Sequence, residues 1–191
     1  MRYILAGFLF CGLISCGNIK PQEASVYFSL DSLLDLQSDH LVASKAKLTK
    51  ITFSAKDSAF AELNPDSLGW SNEFQLIREL DINKPSLSGR YKQIKKKDTN
   101  SNLDVIRYES TEDDLDVEYF ELYYLKELKE LKLIKASSFE SNSIFKSSKN
   151  IELELDNIND KLQITRYNVK GYQKMILQDS VKFRIEGKIT Y

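Results

Sequence analysis

Val181-Lys182-Phe183-Arg184-Ile185-Glu186-Gly187-Lys188-Ile189-Thr190-Tyr191 is the stretch that decides the fold. Val181, Phe183, Ile185, Ile189 and Tyr191 fall on alternate steps, with Lys182, Arg184, Glu186, Lys188 and Thr190 between them. An extended backbone points successive side chains to opposite faces, so this pattern is a strand with one apolar and one solvated face. The same period of two runs backwards from it almost to Pro85. It predicts strands at Tyr91–Lys96, Asp104–Glu109, Leu115–Leu125, Leu131–Ala136, Phe139–Lys146, Ile151–Leu155, Leu162–Val169 and Tyr172–Gln178. Polar turns such as Asp98-Thr99-Asn100-Ser101-Asn102 and Asp156-Asn157-Ile158-Asn159-Asp160 separate some of them. A parallel return needs a dozen or more residues, so connections this short require antiparallel pairing and a meander.

Within the run, Tyr119, Tyr123 and Leu125 alternate with Phe120, Leu122 and Tyr124. A strand apolar on both faces is expected to be covered on both, by helices, by a sheet curled on itself or by a bound apolar partner. Leu125–Leu133 suits a hairpin turn near Lys126–Lys129, or a short helix through Leu125, Leu128 and Leu131. The hairpin is the favoured reading.

Upstream of Pro85 the period is helical. Leu30, Leu33, Leu34, Gln37 and Leu41 lie on one face of a helix of about four turns, opened by Ser29 as a cap and by Asp31 in its first turn. Thr49, Ile51 and Phe53 alternate, and Phe60 and Leu63 follow a Lys56-Asp57-Ser58 turn, which suggests a hairpin. A second helix starts at Ser67, places Trp70, Phe74, Ile77 and Leu80 on one face, and ends before Asn83-Lys84-Pro85. The expected fold is α+β: a curved, mostly antiparallel β-sheet meander with two N-terminal helices packed on it.

The chain has 191 residues, 27 basic against 28 acidic, and is 42% hydrophobic, with seven glycines and three prolines. These ordinary values exclude disordered, collagen-like and disulfide-scaffold classes. A formal charge of −1 provides no field to gather nucleic acid or an anionic membrane without a local patch. Met1 and Arg2 precede a nearly unbroken apolar run, Tyr3–Ile14, which is far below the ~20 residues of a membrane-spanning helix. This is a secretory signal. Leu13-Ile14-Ser15-Cys16 resembles the bacterial lipobox, and the resemblance implies a lipid-bearing Cys16 as the first mature residue. Cys11 is lost with the signal, which leaves Cys16 without a disulfide partner. Several acyl chains on one residue hold a protein on a membrane without a spanning helix. The expected organisation is a signal peptide over 1–15, a lipidated tether over 16–25, and a single α+β domain over 26–191.

Tyr27-Phe28-Ser29-Leu30-Asp31, Asp81-Ile82-Asn83-Lys84-Pro85-Ser86 and Phe183-Arg184-Ile185-Glu186-Gly187-Lys188 carry a wider likeness. The chain resembles an uncharacterised family of small lipoproteins from Bacteroidota over nearly all of its mature length. That resemblance implies a periplasm-facing or surface lipoprotein of a double-membraned bacterium, and it implies no chemistry. By the same resemblance, Gly17 and Asn18 after Cys16 carry no acidic cluster of the kind associated with surface export, which favours the periplasmic side of the outer membrane.

The mature chain offers one histidine and one cysteine. His40, near the end of the first helix, is formally available to a Ser-His-Asp set, but nothing singles out a serine. One Cys and one His make no zinc signature. The acidic run Glu109, Glu112, Asp113, Asp114, Asp116 and Glu118 lacks the spacing and central glycine of a calcium loop and reads as a solvated turn. Lys95, Lys96 and Lys97, with Arg90 and Lys92, suit lipid headgroups or, more simply, a strand edge guarded by charge. Tyr119, Phe120, Tyr123 and Tyr124 are the one candidate binding surface, although strands use such residues for packing as well.

No catalytic, cofactor or metal site is expected, and no nucleic-acid partner. The expectation is a membrane-anchored, non-catalytic binding or accessory lipoprotein with an envelope protein or a lipid as its ligand. The alternatives are an envelope hydrolase built on carboxylates or His40, and a structural subunit of an outer-membrane assembly.

Overall fold

The computed structural model describes residues 27–54 and 57–191. The signal peptide, the lipobox with Cys11 and Cys16, the tether, and Lys56 of the first hairpin turn lie outside the described residues.

The elements are α1 (Leu30–Ala43), β1 (Lys47–Ser54), β2 (Asp57–Leu63), α2 (Ser67–Glu73), α3 (Gln75–Arg78), β3 (Tyr91–Lys97), β4 (Asp104–Ser110), β5 (Val117–Tyr124), β6 (Leu131–Ser141), β7 (Phe145–Ile158), β8 (Lys161–Met175) and β9 (Val181–Thr190). The strands form one open antiparallel sheet of nine, in the order β2-β1-β9-β8-β7-β6-β5-β4-β3. From β3 to β9 each strand pairs with the next in sequence, as the meander requires. The β1–β2 hairpin then joins the far side through β9, with Lys47 opposite Thr190 and Ser54 opposite Phe183.

Three divisions expected from the sequence are corrected. Leu131–Ala136 and Phe139–Lys146 are not two strands: β6 runs through Ser137 and Ser138, both buried, with the Ser137 hydroxyl donating to Glu118 at 2.8 Å. Phe139–Lys146 is itself split by the β6–β7 turn after Ser141, and Ser147–Asn150, which the expected strands leave out, belongs to the first half of the 14-residue β7, where Lys149 reaches back to Glu79. Gly171 does not break β8 either, because it sits where a Cβ would lie 2.1 Å from the Ser148 carbonyl oxygen. It marks a close approach between strands rather than a turn. The β5–β6 connection is the expected hairpin, with Lys126 at φ 61° followed by a single 3₁₀ turn at Leu128–Glu130.

The second helix is also divided. Asp66 caps α2 by accepting from Gly69 N at 2.8 Å. The helix steps at Phe74 into the single turn of α3, yet Trp70, Phe74, Ile77 and Leu80 are all buried as their spacing predicts. Phe74 stacks on Trp70 with centroids 5.8 Å apart and meets Tyr167 of β8 edge-on at 6.4 Å.

The two faces of the sheet differ. One is apolar: Leu48, Ile106, Tyr108, Phe120, Leu122, Ile134, Ile151, Leu153, Tyr167, Val169 and Ile189 join Leu30, Leu34, Leu41, Trp70, Phe74 and Ile77 in one buried cluster. Polar bonds fix the register of helix against strand. The buried Gln37 of α1 donates from Nε2 to the Leu162 carbonyl and accepts from Ile164 N, each at 2.8 Å. A side-chain amide here completes backbone groups of β8 beside its bulge between Ile164 and Arg166.

Two of the stretches that carried the family likeness bond to each other. Ser29 caps α1 through Ser32 N, and the buried Asp81 carboxylate accepts from Leu30 N at 3.0 Å and Asn83 N at 3.3 Å. Asn83 Oδ1 accepts from Tyr27 N at 3.2 Å, while the Tyr27 hydroxyl accepts from Tyr91 N at 3.1 Å. The Tyr27 ring stands edge-on to Tyr91 and Tyr108. Burial pushes the Asp81 carboxyl up, against the lowering effect of these amide bonds.

Candidate functional site

Strand alternation divides the aromatic cluster. Phe120 is fully buried on the apolar face, stacked against Phe28 at 6.1 Å, and Tyr124 packs against the same core. Tyr119 and Tyr123 point to the opposite, polar face. Tyr119, Phe120, Tyr123 and Tyr124 therefore do not form one surface, because adjacent residues of a strand cannot share a face.

What covers the polar side of β5 is charge carried on long stems. Glu121 lies between Tyr119 and Tyr123 with its side chain only 7% exposed. It accepts from Arg107 Nη1 at 2.9 Å, Lys96 Nζ at 3.2 Å and the Tyr123 hydroxyl at 2.9 Å. The Arg107 guanidinium stacks over Tyr119 at 4.2 Å, and Lys135 lies 5.5 Å from the Tyr123 ring centroid. Val105 is buried beneath this group. Burial by itself raises the Glu121 carboxyl, but the bonds from Arg107, Tyr123 and Lys96 outweigh it and hold the group below the usual carboxylate range. Burial, then the bond to Glu121, pushes the Tyr123 hydroxyl up. Glu121 is therefore an anion locked by three donors, and Tyr123 stays protonated at neutral pH.

Register extends this group across the sheet. Arg107, Glu121, Lys135, Glu152, Asn168 and Glu186 lie directly opposite one another on β4 to β9, and Ile51 of β1 follows. Alternating signs at neighbouring positions are mildly favourable. Toward β1 the row opens into a groove of about 330 Å³ lined by Glu152, Glu154, Arg166, Asn168, Glu186 and Lys188, with Thr49 and Ile51 at one side. Two features of the groove are left open. Lys188 lies between Arg166 and Thr49 with no carboxylate directly opposite it, whereas Arg166 has Glu154 opposite on β7, and Asn168 Oδ1 is buried without a hydrogen-bond partner among the described residues. Sequence reading missed this row, because each charge is an ordinary solvent-side residue of its own strand until register places the six side by side. The one legible hint is a glutamate, Glu121, in the middle of an otherwise aromatic and aliphatic run.

The other candidates do not converge on this groove. The His40 ring is half-buried in the last turn of α1, and its Nδ1 has no hydrogen-bond partner among the described residues. The acidic run is a turn between β4 and β5 tied down by Arg90, which bonds Glu112 and Asp114. Among the described residues no group of three or more metal-ligating side chains is gathered. Lys92, Lys95, Lys96 and Lys97 line β3, an edge of the sheet, where Lys97 pairs with Asp104 and Lys96 with Glu121. No described helix is long and apolar enough to cross a membrane. Set against known proteins, the chain matches no family model, no curated protein and no solved structure.

Proposed function

We propose that the chain is a lipid-anchored envelope protein, held through Cys16 on the periplasmic side of an outer membrane. In this reading it binds a protein partner on the polar face of its sheet and performs no chemistry on it, while its helices close the apolar face. The lipobox-like Leu13–Cys16 and the likeness to small Bacteroidota lipoproteins support the anchoring. The observation that carries the binding is the groove of about 330 Å³ whose lining mixes Glu152, Glu154 and Glu186 with Arg166 and Lys188 around Asn168.

A buried acceptor without a donor is costly, and so is a like-charged pair directly across two strands. A partner that supplies a donor to Asn168 and a carboxylate to Lys188 relieves both. A carrier of acyl chains is the weaker reading, since such a ligand needs an apolar hollow and this lining is charged. A hydrolase is weaker still: the groove gathers Glu152, Glu154 and Glu186, but nothing in it singles out a nucleophile and an acid–base partner among them, and His40 stands outside it.

The test is native mass spectrometry of the full-length protein taken from its own envelope in mild detergent, beside an Arg166→Glu variant. A stoichiometric partner in the wild type, lost on denaturation and absent from the variant, is expected. A bare monomer, or a partner retained equally by the variant, overturns the assignment to this groove.

A further inference from the structure

We infer that the turns β6–β7 and β8–β9 form a membrane-contacting tip that rests on an anionic lipid surface; the inference builds on the anchoring proposed above. The two turns are joined, since Ile176 N donates to the Ile144 carbonyl at 2.8 Å. Asn142 Oδ1 caps the first of them by accepting from Ile144 N and Phe145 N. The tip is therefore one built surface, and what it presents is aliphatic: Ile144 is 58% exposed, Met175 50%, Ile176 59% and Leu177 99%. Leu177 sits at φ 63°, a conformation in which Gly or Asn is the ordinary residue. A leucine there is strained and fully in water, and no described residue covers it.

The charge behind the tip fits an anionic surface. Lys146 and Lys174 lie directly opposite each other on β7 and β8, and Lys182 follows on the same polar face of β9. These three form no ion pair among the described residues. Apolar side chains leading and lysines just behind them is the arrangement by which a protein dips into the acyl boundary of a bilayer while its ammonium groups meet headgroup phosphates.

The path of the chain favours a bilayer as the occupant, because it brings the tethered end of the domain to this side of the sheet. β3 starts at Tyr91 beside the end of β4, at the same end of the sheet as both turns, and Tyr27 is fastened there by Tyr91 N. At about 3.3–3.6 Å per residue, the stretch from Cys16 to Tyr27 reaches less than about 40 Å. Carried across the sheet by the pairings, Tyr91 stands level with Lys149 of β7, roughly 13 Å from the tip end of that strand and roughly 30 Å from its far end at 3.3 Å per residue. A tether from Cys16 that ends at Tyr27 thus reaches the tip with more chain to spare than it has at the opposite end.

The test places a single environment-sensitive fluorophore on the full-length, membrane-extracted protein at Leu177→Cys or, at the opposite end, Asn100→Cys, each with Cys11→Ser. The protein is reconstituted into vesicles with and without phosphatidylglycerol. In anionic vesicles the probe at 177 is expected to be blue-shifted and quenched several-fold more strongly by brominated acyl chains than the probe at 100. Lys146→Glu with Lys174→Glu is expected to remove that difference, with the circular dichroism of the double variant confirming that it folds. Equal quenching at 177 and 100 overturns the inference, as does a difference indifferent to phosphatidylglycerol. So does a probe at 177 shielded from water but untouched by brominated lipid, the mark of a protein partner. In each of these outcomes the protein still floats with the vesicles and carries one label, because acylated Cys16 is blocked. Failure of the anchor reads differently: two labels per chain, no flotation, and the inference falls with it.

Discussion

The two faces of the sheet are cut from the same strands and hold their order by different means. On one face Phe120, Leu122, Ile134 and Leu153 exclude water with no polar obligation, and helical side chains reach across to them. On the other, Tyr119 sits under Arg107 and Tyr123 under Lys135, with Glu121 as the anion that Arg107, Lys96 and the Tyr123 hydroxyl all bond. The first face gains from burial, which is non-directional, and the second from register, which is not. A one-residue slip would still leave apolar residues somewhere on β5, but it would turn Glu121 into the core.

That contrast can be broken most severely from the apolar side. Phe120→Ala removes a fully buried ring and should cost roughly 3–5 kcal/mol, read as a lower denaturation midpoint with the dependence on denaturant unchanged. A loss below 1 kcal/mol would mean that the two faces are not as unequal as described. Gln37→Leu keeps the volume near β8 but strands the Ile164 amide and the Leu162 carbonyl, at about 1–3 kcal/mol for each group left unsatisfied. Hydrogen exchange at Ile164 should rise with it. Gly187→Ala drives a Cβ to within 2.0 Å of the Tyr167 ring, and overpacking of this kind should cost about 1–3 kcal/mol.

The polar face gives smaller effects, with a pH signature of its own. Glu121 has its carboxyl held below the ordinary value of 4.5, so its contribution is fully present above that value and is lost as pH falls through the lower folded one. Wild type should lose its advantage over Glu121→Gln in acid unfolding titrations below about pH 4.5. An advantage that persists unchanged to lower pH would show that the three donors do not depend on the charge. Asp81 is the opposite case. Its raised carboxyl binds a proton more tightly in the folded state, so wild type should gain on Asp81→Asn as pH falls below that raised value and lose on it as pH rises through it. The smallest effect expected is Lys135→Ala, within about 0.5 kcal/mol, because the lysine lies over Tyr123 at a distance and is partly solvated.

Much of the fold could be read from periodicity, because a period of two along β9, or of 3.6 along α1, is imposed by one apolar face and is visible in a single segment. What could not be read lay in pairs of segments. Ser137-Ser138 and Gly171 looked like breaks because their tolerance for a strand comes from the neighbouring chain, from Glu118 in one case and from the Ser148 backbone in the other. Of the candidate site, the alternation around Tyr119 and Tyr123 was legible. The row from Arg107 to Glu186 was not, since it exists only once six strands are in register. The Asp81–Asn83 stretch, conspicuous as sequence, is bound up in holding Tyr27 and the start of α1.

The pairing of β1 with β9 has a consequence for the order of events in folding. β1 finds its inner neighbour only about 140 positions further along the chain, by the pairing of Lys47 with Thr190. The β1–β2 hairpin therefore waits, with one side open, until Val181–Thr190 arrives. Such long-range closure slows folding and leaves a strand exposed while it waits. A chain cut before Val181 should retain the β3–β8 meander and release the hairpin, so that what it loses by truncation at one end appears as protease sensitivity at the other.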